Sequence, residues 1–273
     1  MNKLEFVQNA LFEDVGRGDL FERTILPADY KAAVVSKADG VFAGAEYAEA
    51  LFGLFDLKYE FLAKDGDKIQ KSQKLLTLKG LNTDVLKLER TLLNMLQHAS
   101  GIASKACLFA DMGSEFGVSV LDTRKTRPGL RIFEKYAARI GGVKNHRFGL
   151  DDALMIKDTH LKAIEDLASY IKNARKNIPF TAKIEIECET VDAAREAIGL
   201  GVDIVMCDNM PPEEVSIVVN FRNKTDKKVL LECSGNIDNL NFEKYAATGV
   251  DAISIGSIIH QAVWLDFSMK GGF

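Results

Sequence analysis

The chain has 273 residues, 47% hydrophobic and 27% charged, with 39 acidic against 35 basic side chains and a formal charge of −4. That length and composition suit one large or two ordinary domains with a substantial core. The mild negative charge gives no general attraction to nucleic acid or anionic membrane. No run approaches the roughly 18 uninterrupted apolar residues of a spanning helix.

The first residues, MNKLEFVQNALFEDVG, carry acids at Glu5, Glu13 and Asp14 and no signal-like apolar run. From about residue 30 to 80, YKAAVVSKADGVFAG, LKYEFLAKDGD and QKLLTLKG have β character broken by Gly and Asp-Gly, and AEYAEALFGLF between them fits a short helix. This predicts a small α+β domain. A helix is expected across NTDVLKLERTLLNMLQHASGIASKACLFADMG, with Asn82 as N-cap and Asp84 favourable in its first turn.

Beyond about residue 118 the texture becomes repetitive. VSVLD, ALMIKD, KIEIECE, DIVMCD, KVLLECSG and DAISIGS read as short apolar strands ending in a polar residue. Helical patterns such as LKAIEDLASYIKNARKN, VDAAREAIGLG and NFEKYAATG lie between them, which predicts parallel βα units. No GxGxxG follows the first strand, so a dinucleotide fold lacks its sequence support. A β/α barrel would gather Lys157, Glu187, Asp208, Glu232 and Ser234 at one mouth, but only six strands are visible where a complete barrel has eight. Cys107, Cys188, Cys207 and Cys233 match no zinc spacing and are expected reduced and buried.

Charge is concentrated between Thr123 and Arg147, where eight Lys/Arg and His146 face a single acid, Glu134. TRKTR follows one expected strand and KNHR precedes the next. A cationic loop cluster at a mouth suits a small polyanion, with Arg clamping carboxylate or phosphate in bidentate fashion. A surface patch or nucleic-acid footprint is the competing reading. In KIEIECE, Glu185, Glu187 and Glu189 share one strand face, and inward carboxylates need cations or metal as partners. Ser234, Gly235 and Asn236 after one strand, and Gly256 and Ser257 before a helix, offer amides for an anion. Arg90, Asn94, Gln97 and Gly101 fall at helical spacing, a pattern that a surface cation explains equally well.

The segments EDVGRGDL, ERTLLNMLQHASGIA, LDTRKTRPGLR, GGVKNHRFGLDDALMIKDTH, KIEIECE, VDIVMCDNM, LECSGNI and DAISIGSIIH, in that order over nearly the whole chain, resemble the quinolinate phosphoribosyltransferases. The resemblance implies an α/β fold: an N-terminal open-faced α/β sandwich over residues 1–103 and an incomplete, TIM-like α/β barrel over 104–258. A helical segment over 259–273 is expected to pack back on the first domain. The activity it implies is conversion of quinolinate and phosphoribosyl pyrophosphate to nicotinate mononucleotide, pyrophosphate and CO2 in de novo NAD synthesis, with Mg2+ as cofactor. It further implies a cytoplasmic homodimer, or a hexamer, with Arg90 reaching the neighbouring subunit's site, and no nucleic-acid or membrane partner.

Matched motif by motif, the resemblance assigns Thr123, Arg124, His146, Arg147 and Lys157 to quinolinate. Lys125, Lys157, Glu187 and Asp208 take catalytic roles, with Glu187 and Asp208 near the ribose and the metal, directly or through water. Ser234, Gly235, Asn236, Gly256, Ser257 and His260 fall in phosphate-binding segments. A phosphoribosyltransferase-like protein associated with molybdenum transport shares much of this scaffold; the intact two-sided basic cluster favours quinolinate.

Overall fold

The computed structural model describes residues 2–272. In chain order its elements are α1 (Lys3–Val15), β1 (Asp29–Ser36), β2 (Gly40–Val41), α2 (Ala45–Phe52), β3 (Lys58–Phe61), β4 (Lys68–Ile69), β5 (Lys74–Leu81) and α3 (Asn82–Phe116). They continue as β6 (Ser119–Leu121), α4 (Arg131–Ile140), β7 (Leu154–Ile156), α5 (Asp158–Leu161), α6 (Leu167–Asn177), β8 (Ile184–Cys188) and α7 (Val191–Leu200). The last are β9 (Ile204–Asp208), α8 (Pro212–Asn223), β10 (Leu230–Ser234), α9 (Phe242–Ala246), β11 (Ala252–Ser254), α10 (Ser257–His260) and β12 (Phe267–Gly271).

Two compact units result: Met1–Cys107 with Arg127–Gly142 and Gln261–Phe273, and Leu108–Thr126 with Val143–His260. The first holds an antiparallel sheet in the order β12-β1-β5-β3. Its core includes Phe42, Phe52, Leu76 and Leu78, and α3 adds the buried stripe Val85, Leu88, Leu92, Leu96, Ala99 and Ala103 at three- and four-residue spacing. At the chain start Asn2 and Glu5 form a reciprocal capping box on α1.

Three expectations change here. The helical segment expected over 259–273 is a single turn, α10, followed by a strand: β12 pairs antiparallel with β1, Phe267 opposite Ser36 and Lys270 opposite Ala33. Phe267 is buried while Lys270 is exposed, an alternation that serves a sheet edge. Residue 103 is no boundary, because α3 runs unbroken through it. Residues 127–142, expected in the barrel, belong to the first unit. Residues 1 and 273 of the expected domain spans lie outside the described residues.

The second unit is a six-stranded parallel sheet in the order β6-β11-β10-β9-β8-β7, an incomplete TIM-like barrel. The last strand in sequence, β11, pairs with the first, β6, so the ring is interrupted between β6 and β7. Residues beside this seam run extended along β6: the Lys144 N–H donates to Val120 O at 2.9 Å, and the Asp122 N–H to Lys144 O at 3.1 Å. On the helix-facing side, Cys188, Cys207 and Cys233 lie side by side in register on β8, β9 and β10, all buried. Burial pushes the Cys188 thiol up to about 12, and the Cys207 contact and burial raise Cys233 as well, so these thiols pack as small apolar groups.

Candidate active site

Strand register decides which side chains share the interior of the second unit. Met155 lies level with Glu185, Glu187 with Met206, Met206 with Glu232, Asp208 with Ser234, and Ser254 with Leu121. Side chains paired this way point to the same face of a parallel sheet. The inner face therefore carries four acids, and burial divides them: Glu185 and Glu232 are sealed, while Glu187 and Asp208 are half-buried towards the strand ends.

In the sealed pair, Glu185 and Glu232 are each 1% exposed. Two buried carboxylates need a cation or a shared proton. His146, from the seam, supplies the partner: its Nε2 lies 3.3 Å from Glu185 and 3.4 Å from Glu232. The Ser254 hydroxyl donates a short hydrogen bond to Glu232. Asp122, fully buried, accepts from the His146 backbone N–H at 2.9 Å and from the Asn145 side chain at 2.6 Å. Burial alone would lower the His146 pKa, but hydrogen bonds and charge from Glu185 and Glu232 outweigh it and raise the ring's proton affinity. Desolvation raises Glu185. The Arg147 N–H points at His146 Nδ1 from 2.8 Å, which requires that nitrogen to be unprotonated. With Nδ1 accepting from the Arg147 amide, the ring proton sits on Nε2, facing the two carboxylates. His146, Glu185 and Glu232 also place ligand atoms within 4.8 Å of one another, close enough to hold a metal ion.

At the strand ends Lys157 donates a short hydrogen bond to Glu187. Burial, and then the nearby Glu187 carboxylate, push Asp208 above the usual carboxylate range. Arg147 is 8% exposed and donates to Ala153 O at 2.9 Å. Burial, and then the Arg124 charge, lower its pKa, so the two guanidiniums lie within electrostatic reach of one another. Like charges brought together in a half-buried mouth are what an anion relieves.

Two turns complete the rim. A Cβ on Gly256 would lie 3.0 Å from Lys125 Cδ and 3.3 Å from both Thr123 Oγ1 and His260 Nε2, so the absent side chain lets three polar groups converge. The Thr123 hydroxyl also accepts from the Lys125 N–H at 3.0 Å. Gly235, at φ +98°, sits so close to Asn209 that a Cβ would be 2.8 Å from its backbone nitrogen. Asn209 bonds to Asp208 at 2.8 Å and accepts from Asn236 at 3.0 Å, knitting the ends of β9 and β10 together. Because α10 has only four residues, Ser257 opens a single turn, and an anion there would depend on amides and cations rather than a helix dipole.

The basic segment does not act as one patch. Arg127, Arg131, Lys135 and Arg139 go with the first unit, where Glu134 engages Arg127 and His98. Lys144 reaches Ser119 at 2.9 Å, at the start of β6. Arg124, Lys125 and Arg147, with His146, are the part left for the barrel residues. Glu189, expected to share the Glu185–Glu187 face, lies past the end of β8 and is exposed. His146, assigned to quinolinate by the resemblance, turns Nε2 to Glu185 and Glu232 and Nδ1 to the Arg147 amide. Arg90 is exposed on α3 and, with Thr91, Asn94, His98 and Trp264, lines a cavity of about 430 Å³ in the first unit. Sequence reasoning missed Asp122, Asn209 and Ser254. Each sits at a strand end, but no pattern in the chain says that its partner lies on another strand.

Known proteins share this fold and much of this sequence. Residues 19–100 match the family described as quinolinate phosphoribosyl transferase, N-terminal domain, and residues 102–270 match the corresponding C-terminal domain. A probable nicotinate-nucleotide pyrophosphorylase [carboxylating] of Bacillus subtilis is 38% identical, covering 98% of this chain and 94% of its own. One from Synechocystis is 37% identical over 97% of this chain and 91% of its own. The crystal structure of nicotinate-nucleotide pyrophosphorylase from Ehrlichia chaffeensis superimposes with a TM-score of 0.93 at 35% identity, covering 100% of this chain and 99% of that one. The chain belongs to the quinolinate phosphoribosyltransferase family.

Proposed function

We propose that the chain transfers the phosphoribosyl group of phosphoribosyl pyrophosphate to quinolinate, with decarboxylation to nicotinate mononucleotide, as a step of NAD synthesis. The observation that carries this reading is the make-up of the barrel's strand ends. Arg124 and Arg147, within electrostatic reach of one another, suit a dicarboxylate, and Lys157, Glu187 and Asp208 with the two glycine turns suit a phosphorylated ribose and its leaving group.

In this reaction the pyridine nitrogen attacks the anomeric carbon, and the bond to pyrophosphate breaks with its electron pair leaving on oxygen. The ring nitrogen becomes cationic. Loss of the adjacent 2-carboxylate then leaves an electron pair on carbon beside that positive nitrogen, and a proton replaces CO2. Arg124 and Arg147 orient the dicarboxylate, with Thr123 beside them. Lys125, Ser234, Gly235, Asn236, Gly256, Ser257 and His260 surround phosphate, and Lys157 balances charge at the reacting centre. The oxygen donors of Glu187 and Asp208 fit Mg2+, because burial and the Glu187 charge raise the proton affinity of Asp208 and a hard dication relieves that repulsion. When bound, Mg2+ neutralises charge on the departing pyrophosphate. Arg90 serves a partner subunit's site in a homodimer or larger assembly, and the protein works in the cytoplasm.

The test is release of labelled CO2 from 2-carboxyl-labelled quinolinate, with phosphoribosyl pyrophosphate and Mg2+ each omitted in turn. Release that requires both, with equal nicotinate mononucleotide, is expected. Folded protein that releases nothing across a range of metal conditions refutes the assignment.

A further inference from the structure

We infer that Glu185, Glu232 and Ser254 are positioning residues for the dicarboxylate, acting through His146 on the backbone that carries Arg147. The inference rests on the quinolinate reading of the site and adds residues to it.

The geometry forms one chain of contacts. Ser254 on β11 donates to one oxygen of Glu232, which leaves the other facing His146. Glu185 on β8 meets the same Nε2 from the side. The opposite ring nitrogen accepts from the Arg147 N–H, and the His146 N–H is held by Asp122. Successive amides, those of residues 146 and 147, are therefore anchored to buried groups. This matters because residues 143–147 run along the seam of the ring, where the pairing to β6 is a single bridge between Leu121 and Lys144. A regular strand would fix Arg147 by its ladder. Here the side-chain network supplies that constraint from across the interior.

The network is also costly as mere filling. Buried ionic groups add little stability over apolar residues of the same volume, so a sealed His–Glu–Glu set is best explained by what it orients. Its reach ends at the Arg147 amide, and Arg147 carries the guanidinium assigned to the dicarboxylate. Because both His146 nitrogens are engaged, its effect on quinolinate passes through orientation of the arginine.

The experiment compares wild type, Glu232→Gln and Ser254→Ala by direct calorimetric binding of quinolinate and by steady-state kinetics in each substrate. Glu232→Gln keeps the volume, removes the charge and aims an amide where His146 meets a carboxylate. It is expected to weaken quinolinate binding about tenfold, while KM for phosphoribosyl pyrophosphate stays within about twofold. Ser254→Ala, which loses one hydroxyl, shifts quinolinate binding in the same direction by a few-fold and keeps the test available if the Gln variant does not fold. Melting temperatures are recorded alongside, since a purely structural role lowers them while affecting both substrates alike. Unchanged quinolinate binding in both variants, or equal losses for the two substrates, overturns the inference. So does stoichiometric metal in the purified protein that Glu232→Gln abolishes, which would make the cluster a metal centre. If wild type itself fails to bind quinolinate, the functional assignment falls instead.

Discussion

Replacing Glu134 by Gln and by Ala tests how the lone acid of the basic segment is used. Its side chain is fully buried and accepts from the Arg127 backbone N–H at 2.8 Å and the Arg127 guanidinium at 2.5 Å, and it meets His98 Nε2 at 3.0 Å. Hydrogen bonds to ionised groups contribute about 1.5–3 kcal/mol against about 0.5–1.5 for neutral ones. Gln preserves an acceptor but not the charge. The Arg127 side chain is 40% exposed, so solvent already screens part of that pair. The net loss expected for Glu134→Gln is therefore about 1–2 kcal/mol. Ala also leaves the Arg127 amide and His98 without their acceptor and opens a cavity, so about 3 kcal/mol is expected.

The pH dependence has a definite sign. Burial by itself would raise the Glu134 pKa, but the hydrogen bonds from His98 and Arg127 hold it below its ordinary value of 4.5. A carboxyl depressed in the folded state contributes stability above its unfolded pKa and loses it as pH falls through the folded value. The gap between wild type and Glu134→Gln is therefore full at pH 7 and closes on acidification below about 4.5. Urea unfolding followed by tryptophan fluorescence suits the purpose, because the single Trp, Trp264, stacks on His98 at 5.3 Å and 15°. A Glu134→Ala protein within about 0.5 kcal/mol of wild type would refute the reasoning. A gap that persists unchanged to pH 3 would do the same.

Arg147→Lys keeps the charge but loses the planar fork, so kcat/KM for quinolinate is expected to fall about 100-fold in initial-rate assays. Ordinary saturation by quinolinate in that variant would remove Arg147 from the clamp. Gly235→Ala places a Cβ 2.3 Å from Asn209 Oδ1 at a backbone φ of +98°. Denaturant titration should give a loss of about 2 kcal/mol or more, with a raised KM for phosphoribosyl pyrophosphate. Wild-type values for both would mean that the turn after β10 has more room than its contacts with Asn209 allow.

Much of this protein was legible along the chain because its determinants are local. Runs of alternating or continuous apolar residues placed all six parallel strands, five within two residues at either end and the last, β11, three residues short of its expected end, and their polar ends marked Lys157, Glu187, Asp208 and Ser234. The long helix α3 was likewise expected across residues 82–113, and the structure carries it on to Phe116. The expectation of buried cysteines holds for Cys188, Cys207 and Cys233 but not for Cys107, which is half-buried, and nothing along the chain showed that the three buried ones stand in register.

What the chain could not reveal depends on partners distant in sequence. The charge between residues 123 and 147 reads as one cluster, yet folding sends four of its cations to the first unit and leaves Arg124, Lys125, Lys144 and Arg147 with the barrel, Lys144 at the far end of β6. The tail after His260 carries too short a pattern to separate helix from strand; pairing with β1, more than 230 residues earlier, makes it β12. Glu185 and Glu187 look equivalent in KIEIECE, and only register and burial make one a sealed partner of His146 and the other a rim partner of Lys157. Local sequence sets which backbone form a segment prefers. Which side chains meet is decided when strands far apart in the chain take their register, and it is there that a buried carboxylate acquires its cation.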